Sequence, residues 1–264
     1  RIRMYPLLRR GDKLPTVAVV QIMINRKMKE GTYIKVDGMY GPETKQAVYD
    51  FQKASKKLRA DGVVGKHTWN ALVSGQSLEV IDSVDVTNPK DMGYEDAAIR
   101  RAGGTPILNF GMCRGVRVVK HEIHARAKAG GTVLLRFHGH GSPGEMGISV
   151  GTGAHASSEF GVTYLDSLAQ FIASLAWIFP ARGSAELHGC RVGAGQNGRR
   201  LCRGLAQAWG VPVTAGIRSQ YGGGPSTFRF EGPVYTAFPY GGDLKSWAKS
   251  LPVPEVHGKS VNRK

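Results

Sequence analysis

Two short stretches hold the residues best suited to chemistry. In "RFHGHGSPGE" (136–145), His138 and His140 stand one residue apart among glycines, directly after the apolar run "TVLLRF". In "AELHGCRVGAG" (185–195), His188 and Cys190 repeat that one-residue gap. Three readings fit these four residues. In the first, Cys190 is a nucleophile and a histidine is its proton partner; the thiolate forms readily beside an imidazolium or a helix N-terminus. The glycine flanks would let backbone N–H groups, from Gly141 or Gly139 together with Cys190, hold a developing oxyanion. In the second, His-x-His and His-x-Cys at neighbouring strand ends present a His₃Cys set for zinc, although glycine-rich flanks suit oxyanion binding better than a rigid metal cage. In the third, all four merely end two buried strands, a free cysteine being often just a small hydrophobe.

The elements that must position these residues can be read from the surrounding pattern. "LEVIDSVDVT" (78–87) alternates polar and apolar residues and predicts a strand, as do "PILNF" (106–110), the continuous apolar "TVLLRF" (132–137), "SAELHG" (184–189) and "VPVTAGI" (211–217). Helical spacing predicts helices over 112–129, 164–179, 198–210 and roughly 243–250, the third of them ending at Gly210. Residues 88–105 read as irregular and polar, and "STFRF" and "VYTAF", split by "EGP", as an antiparallel hairpin. Alternating strands and helices predict a mainly parallel sheet flanked by helices. In such sheets ligands sit beyond the carboxyl ends of the strands. His138 and His140 follow one strand and Cys190 another, so both groups are expected at the same edge.

Length and charge set the wider frame. The chain has 264 residues, 41% of them hydrophobic, enough for one large domain or two ordinary ones with real cores. No run of about 18 apolar residues predicts a membrane span. "RIRMYPLLRRGDKLP" is basic but lacks the apolar core and cleavage site of a secretory signal; if Met4 is the native start, export would need a route that reads no such signal. Net charge is +16, with 15 Lys and Arg against 6 Asp and Glu in residues 1–75, and 21 against 14 thereafter. Such a field attracts polyanions: nucleic acid, anionic membrane or a carboxylate-bearing cell wall. No aromatic-interleaved basic motif points to specific nucleic-acid binding. Three cysteines, Cys113, Cys190 and Cys202, are too few and odd in number for a disulfide scaffold.

The basic first third contains an internal repeat. "VDGMYGPETKQAV" (36–48) and "ADGVVGKHTWNAL" (60–72) share Asp37/Asp61, Gly38/Gly62, Gly41/Gly65, Thr44/Thr68 and Ala47/Ala71 at a spacing of 24. Asp-Gly makes a tight turn, and Pro42 suits a first helical position. Helices are predicted at roughly 15–29 and 42–56, with a third carrying Trp69 and Leu72, in a small all-α bundle. With its leading "L..G", "VQ..IN", "DG.YG..T..AV..FQ" and "DG.VG..TW..L", the segment 8–73 resembles the peptidoglycan-binding module attached to bacterial cell-wall amidases, endolysins and spore-cortex enzymes. The resemblance implies a non-catalytic wall-docking module, in which Asp37 and Asp61 are turn formers and Tyr40 and Lys45 are candidates for a shallow ligand groove. "SGQSL" (74–78) marks the boundary, dividing the chain into a module over 1–75 and an α/β domain over 76–264.

The second region, about 130–220, resembles the caspase-like superfamily of cysteine peptidases, which includes caspases, gingipains and separase. The resemblance rests on "VLLRFHGHGSPGEMGISVG" followed by "AELHGCRVGAGQNGRRLCRGLAQAWGVPVTAG". The family pattern is a strand with His-Gly and then a strand with Cys. It implies a caspase-like α/β fold, His140 as the catalytic histidine with His138 as second choice, Cys190 as nucleophile, and Gly141 with the N–H of Cys190 as oxyanion donors. Cys113 and Cys202 are then core, and no metal or cofactor is required. Glu145, Asp166 and Glu186 are candidates for reading a basic substrate residue. The whole predicts a cell-wall-targeted bacterial cysteine peptidase acting on a peptide or protein, in the setting of a toxin or effector delivered to the envelope and paired with an immunity protein. The alternatives are a peptidoglycan amidase or endopeptidase, and a non-catalytic wall-binding protein with a degenerate or zinc-holding α/β domain.

Overall fold

The structure, a computed structural model, describes residues 5–28, 32–74, 78–86, 89–109, 115–147, 159–161, 173–252, 255–256 and 259–260. The helices are α1 (Pro15–Lys27), α2 (Pro42–Ala54), α3 (Lys66–Leu72), α4 (Pro89–Arg101), α5 (Gly115–Arg126), α6 (Gly195–Trp209) and α7 (Leu244–Ser250). The strands used below are β1 (Glu79–Asp85), β2 (Ile107–Asn109), β3 (Thr132–His138), β4 (Gly141–Ser142), β5 (Glu145–Gly147), β6 (Glu159–Gly161), β7 (Ser184–His188), β8 (Val213–Gly216) and β9 (Val234–Ala237). The chain divides into two compact units, one of residues 1–78 and 242–264, the other of 79–241.

In the first unit α1 and α2 each open on a proline after an extended residue, as a missing N–H costs nothing at that position. The repeat is built around two buried glutamines. Gln21 accepts from the N–H groups of Asp37 and Gly38 and donates to Asp37 Oδ1, Met39 O and Thr44 Oγ1. Gln52 does the same for Asp61, Gly62, Val63 and Thr68. Asp37 and Asp61 each accept the N–H two residues on, which closes the turn. Trp69 fills the core, stacked at 4.2 Å on Tyr5 and donating its indole N–H to Pro6 O. The C-terminal residues differ from the sequence reading, which placed them with the α/β domain. Ala248 and Leu251 bury against Ala18, Ile22 and Val36, so this unit is completed by a fourth helix from the far end of the chain.

Among the described residues the second unit is built on a six-stranded sheet in the order β2-β1-β3-β7-β8-β9, parallel except for β9. Its faces differ sharply. Ile81, Leu135, Phe137, Ala185, Leu187, Val213 and Ala215 enter an apolar core with Val119 and Ile123 of α5 and Leu201, Leu205 and Trp209 of α6. The register pairs Asp82 with Arg136 and Arg136 with Glu186, then His138 with His188. Because side chains alternate along a strand, these charged residues share the opposite face, and they too are buried.

Two expectations change here, both because of that polar face. Residues 89–101, read as irregular, form α4; its buried positions Met92, Glu95, Ala98 and Ile99 follow helical spacing, but the charged Glu95 interrupts the apolar stripe. The expected hairpin strand at 226–230 is a 3₁₀ turn, Gly224–Phe228, and β9 pairs with β8 instead. Its alternating aromatics cover the polar face: the Phe228 ring centroid lies 5.3 Å from the Arg136 guanidinium carbon and Phe230 stacks on His188 at 4.2 Å. Of the helix expected at 164–179, residues 164–172 lie outside the described residues, and the later part holds a 3₁₀ turn, Ala176–Ile178.

Candidate active site

Arg136, fully buried, donates through Nε and Nη2 to both carboxylate oxygens of Asp82, at 2.6 and 3.1 Å. Burial opposes ionisation of Asp82, but the Arg136 charge and the hydrogen bonds from His138 and Arg136 outweigh it and hold this carboxyl down at about 2. With Asp82 ionised, His138 Nε2 carries the hydrogen and donates to Oδ1 at 2.9 Å, while its Nδ1 lies 3.7 Å from Glu95 Oε2. His188 Nε2 lies 2.8 Å from Glu186 Oε2, and the two histidine rings are 5.0 Å apart. Burial lowers the proton affinity of His188 more than the hydrogen bond and charge of Glu186 restore it. A buried charge is tolerated only when paired, and this cluster pairs its charges across three strands.

His138 is therefore enclosed beneath the strand ends, with its ring engaged by Asp82. His140, two residues on, is exposed. The loop after β3 and the turn after β7 meet through bare backbone. Gly139 N–H donates to His188 O, and Gly144 N–H to Val192 O. A Cβ on Gly189 would lie 3.1 Å from Gly139 O and 3.4 Å from His140 O; one on Gly141 would collide with Val192 and lie 3.2 Å from Cys190 O. The backbones of His140, Gly141 and Cys190 are thus adjacent, because glycines line the contact. Gly139, the alternative to Gly141 as partner of the Cys190 N–H in an oxyanion site, has its own N–H occupied by His188 O, which leaves Gly141 as the glycine beside Cys190.

Cys190 is half-buried at the start of a tight turn into α6. Arg191 adopts φ 58°, a left-handed conformation that a non-glycine residue adopts at a cost. The turn is held by Arg191 N–H to Arg218 O and Gly193 N–H to Gly216 O, both from the end of β8 and its following loop. The Cys190 thiol donates to Gln220 O and its sulfur accepts from Gln220 N–H, each at 3.4 Å. Cys202 lies in the apolar core, where burial pushes its thiol up to about 12; Cys113 falls outside the described residues. Glu186 is committed to His188, Glu145 is exposed and accepts from Ser142 Oγ, and Asp166 falls outside the described residues.

His138, His140, His188 and Cys190 do not converge as one ligand set: two rings are taken by carboxylates below the sheet edge and the other two residues lie on the loops above it. Among the described residues no group of three His, Cys, Asp or Glu side chains is arranged to hold a metal ion. In the first unit Tyr40 is buried, donates its hydroxyl to Gly62 O and is kept protonated by burial and by Asp12 and Asp61, whereas Lys45 is exposed.

Asp82, Glu95, Arg136 and Gln220 were not singled out from the sequence. The signal for the first and third was there: a charge inside "EVIDSVD" and another inside "TVLLRF", where apolar residues surround it and only pairing can pay for burial.

Residues 14–72 match the family model of a putative peptidoglycan binding domain. Two solved structures are similar to about a quarter of the chain. One is a peptidoglycan-binding protein from Clostridioides difficile in complex with glutamine hydroxamate, 35% identical, with a TM-score of 0.23, over 25% of this chain and 39% of that one. The other is the SleB N-terminal domain, 32% identical, with a TM-score of 0.23, over 26% of this chain and 89% of that one. The chain thus spans well under half of the first of these. Among the described residues no helix is long and apolar enough to cross a membrane.

Proposed function

We propose that the chain is a cysteine hydrolase of the caspase-like type, held at the bacterial cell wall by its first unit and cleaving peptide amide bonds with its second. The observation that carries this reading is the meeting of the His140–Gly141 loop and the Cys190 turn at the carboxyl ends of adjacent, in-register parallel strands. The order of the pieces, strand then His-Gly, strand then Cys, is the order the family pattern requires. The wall-docking part rests on the family match of residues 14–72.

In the proposed reaction His140 takes the Cys190 proton and the thiolate attacks the scissile carbonyl carbon, forming a C–S bond. The carbonyl oxygen takes up the negative charge beside the backbone N–H groups of Gly141 and Cys190. The imidazolium of His140 then protonates the departing amine as the C–N bond breaks. Water, deprotonated by His140, hydrolyses the acyl-enzyme and returns the thiol. His138 does not touch substrate in this scheme; its bond to Asp82 secures the strand end from which His140 departs.

The test is cleavage of a mixed peptide library and of purified peptidoglycan sacculi, both read by mass spectrometry, by the wild type, Cys190→Ala and His140→Ala. Cys190→Ala should abolish cleavage and His140→Ala should reduce it about 10²-fold or more. Undiminished cleavage by either variant overturns the dyad. The wall association of the first unit favours a second substrate reading, the peptide stem of peptidoglycan, and release of stem fragments from sacculi without cleavage of the library would select it.

A further inference from the structure

The loop between β8 and β9 is folded around one side chain. Gln220 Nε2 is shared among the carbonyls of Arg218 (3.1 Å), Ser219 (3.1 Å) and Glu231 (2.9 Å), and its Oε1 accepts from Glu231 N–H at 2.9 Å. The amide packs on the bare backbone of Gly216, where a Cβ would come within 2.7 Å of Nε2. On either side the loop is pinned again: Arg218 O accepts from Arg191 N–H, Tyr221 N–H donates to Glu231 Oε2, and Gly223 N–H donates to Glu95 Oε1. The product of this folding is a backbone segment that touches the candidate nucleophile, with Gln220 N–H and C=O each 3.4 Å from Cys190 Sγ.

We propose that Gln220 is a positioning residue for the Cys190 thiol, its side-chain amide holding the loop so that its own backbone N–H and C=O orient the sulfur and the N–H supports the thiolate. The proposal deepens the reading of Cys190 as nucleophile and rests on it. The two contacts respond differently when the proton leaves. The S–H···O=C bond is weak and disappears with its hydrogen. The N–H···S bond remains and gains charge assistance, which roughly doubles the strength of such bonds. The loop therefore holds the sulfur in one orientation before and after the proton leaves.

Alkylation by iodoacetamide reads this directly, because only the thiolate reacts: a C–S bond forms and iodide leaves. The rate at Cys190 would be followed by peptide mass mapping, which separates it from Cys113 and Cys202, as a function of pH in the full chain. Gln220→Met keeps length, volume and neutrality but removes every side-chain amide hydrogen bond. It should slow alkylation at pH 7 about threefold or more. A second measurement avoids the loop variant altogether: hydrogen exchange of the Gln220 amide should quicken about tenfold when Cys190→Ala removes its acceptor. An unchanged alkylation rate in Gln220→Met, an unlabelled Cys190 in the wild type, or unchanged exchange in Cys190→Ala overturns the proposal. Peptide cleavage is scored separately, so slowed alkylation with no cleavage by the wild type would sink the hydrolase reading and leave the positioning role standing.

Discussion

Asp82 carries a full charge in the interior of a sheet, and its neighbours explain how. Arg136 meets both of its oxygens and His138 meets one, so the cost of removing a carboxylate from water is offset by a bidentate cation and a further donor. The protonation state of this group is linked to stability. Unfolded, Asp82 would titrate near 3.9; folded, it stays ionised down to about 2. Its contribution is therefore complete above about pH 4 and is lost as pH falls through 2, a change of about 2–3 kcal/mol. His188 acts at higher pH with the same sign. Its folded proton affinity is lowered, so below about pH 6.5 the unfolded chain binds a proton that the folded chain refuses, and stability declines as the solution is acidified. Melting of the second unit, followed by calorimetry from pH 8 to 2, should fall in these two stages. Phe substituted for His188 should remove the upper stage, and a profile independent of pH between 8 and 5 would contradict the buried neutral histidine.

The elements show how little of a helix's role is contained in its own sequence. α7 has an aspartate cap, Asp243 accepting from Ser246 N–H at 2.7 Å, and a buried face of Ala248 and Leu251. Those features predict a helix but not its partner. The partner is α1, whose Ala18 and Ile22 are buried in the same cluster. Ala248→Asp places an unpaired carboxylate in that cluster and should cost about 3 kcal/mol or more. Calorimetry would register this as a fall in the melting of the first unit by more than about 10 °C. Lys245→Asp, on an exposed position of the same helix, should leave melting nearly unchanged. Equal melting of both variants would separate α7 from the first unit. α4 is hidden in the sequence for a related reason: Glu95 occupies an inward position, where its Oε1 accepts from Gly223 N–H, and a charge there conceals the apolar period.

For the whole molecule, the excess of positive charge is the property that acts at a distance. The chain carries +16, and the first 75 residues hold 15 basic against 6 acidic side chains. Attraction of such a surface to a carboxylate- or phosphate-rich wall is screened over about 10 Å at 0.1 M salt. Co-sedimentation with purified sacculi should therefore weaken several-fold between 50 and 500 mM NaCl. Binding that is insensitive to salt would place recognition in uncharged contacts of the first unit instead. The chain leaves that unit after residue 78 and rejoins it at 242, so the unit that carries the family match is closed only after the α/β unit has been traversed.

Local spacing was enough to determine the Asp-Gly turns, the proline-led helices, the central strands and the glycines around His140 and Cys190. Each of these depends on residues a few positions apart, and the physics of turns, caps and strand alternation acts over that range. The same sequence also showed that a histidine and a cysteine follow strands of one sheet. It left His138 and His140 open, and it divided the chain at residue 75 with everything beyond in one domain. Only the tertiary structure placed these residues and segments, because each placement depends on pairing between distant parts of the chain. Asp82 meets Arg136 and His138 across more than fifty residues, which draws His138 under the sheet edge and leaves His140 above it. Gln220 reaches Cys190 across thirty residues, and Ala248 reaches α1 from the opposite end of the chain. Strand register and the burial of charge set those partners, and neither is visible in the spacing of neighbours.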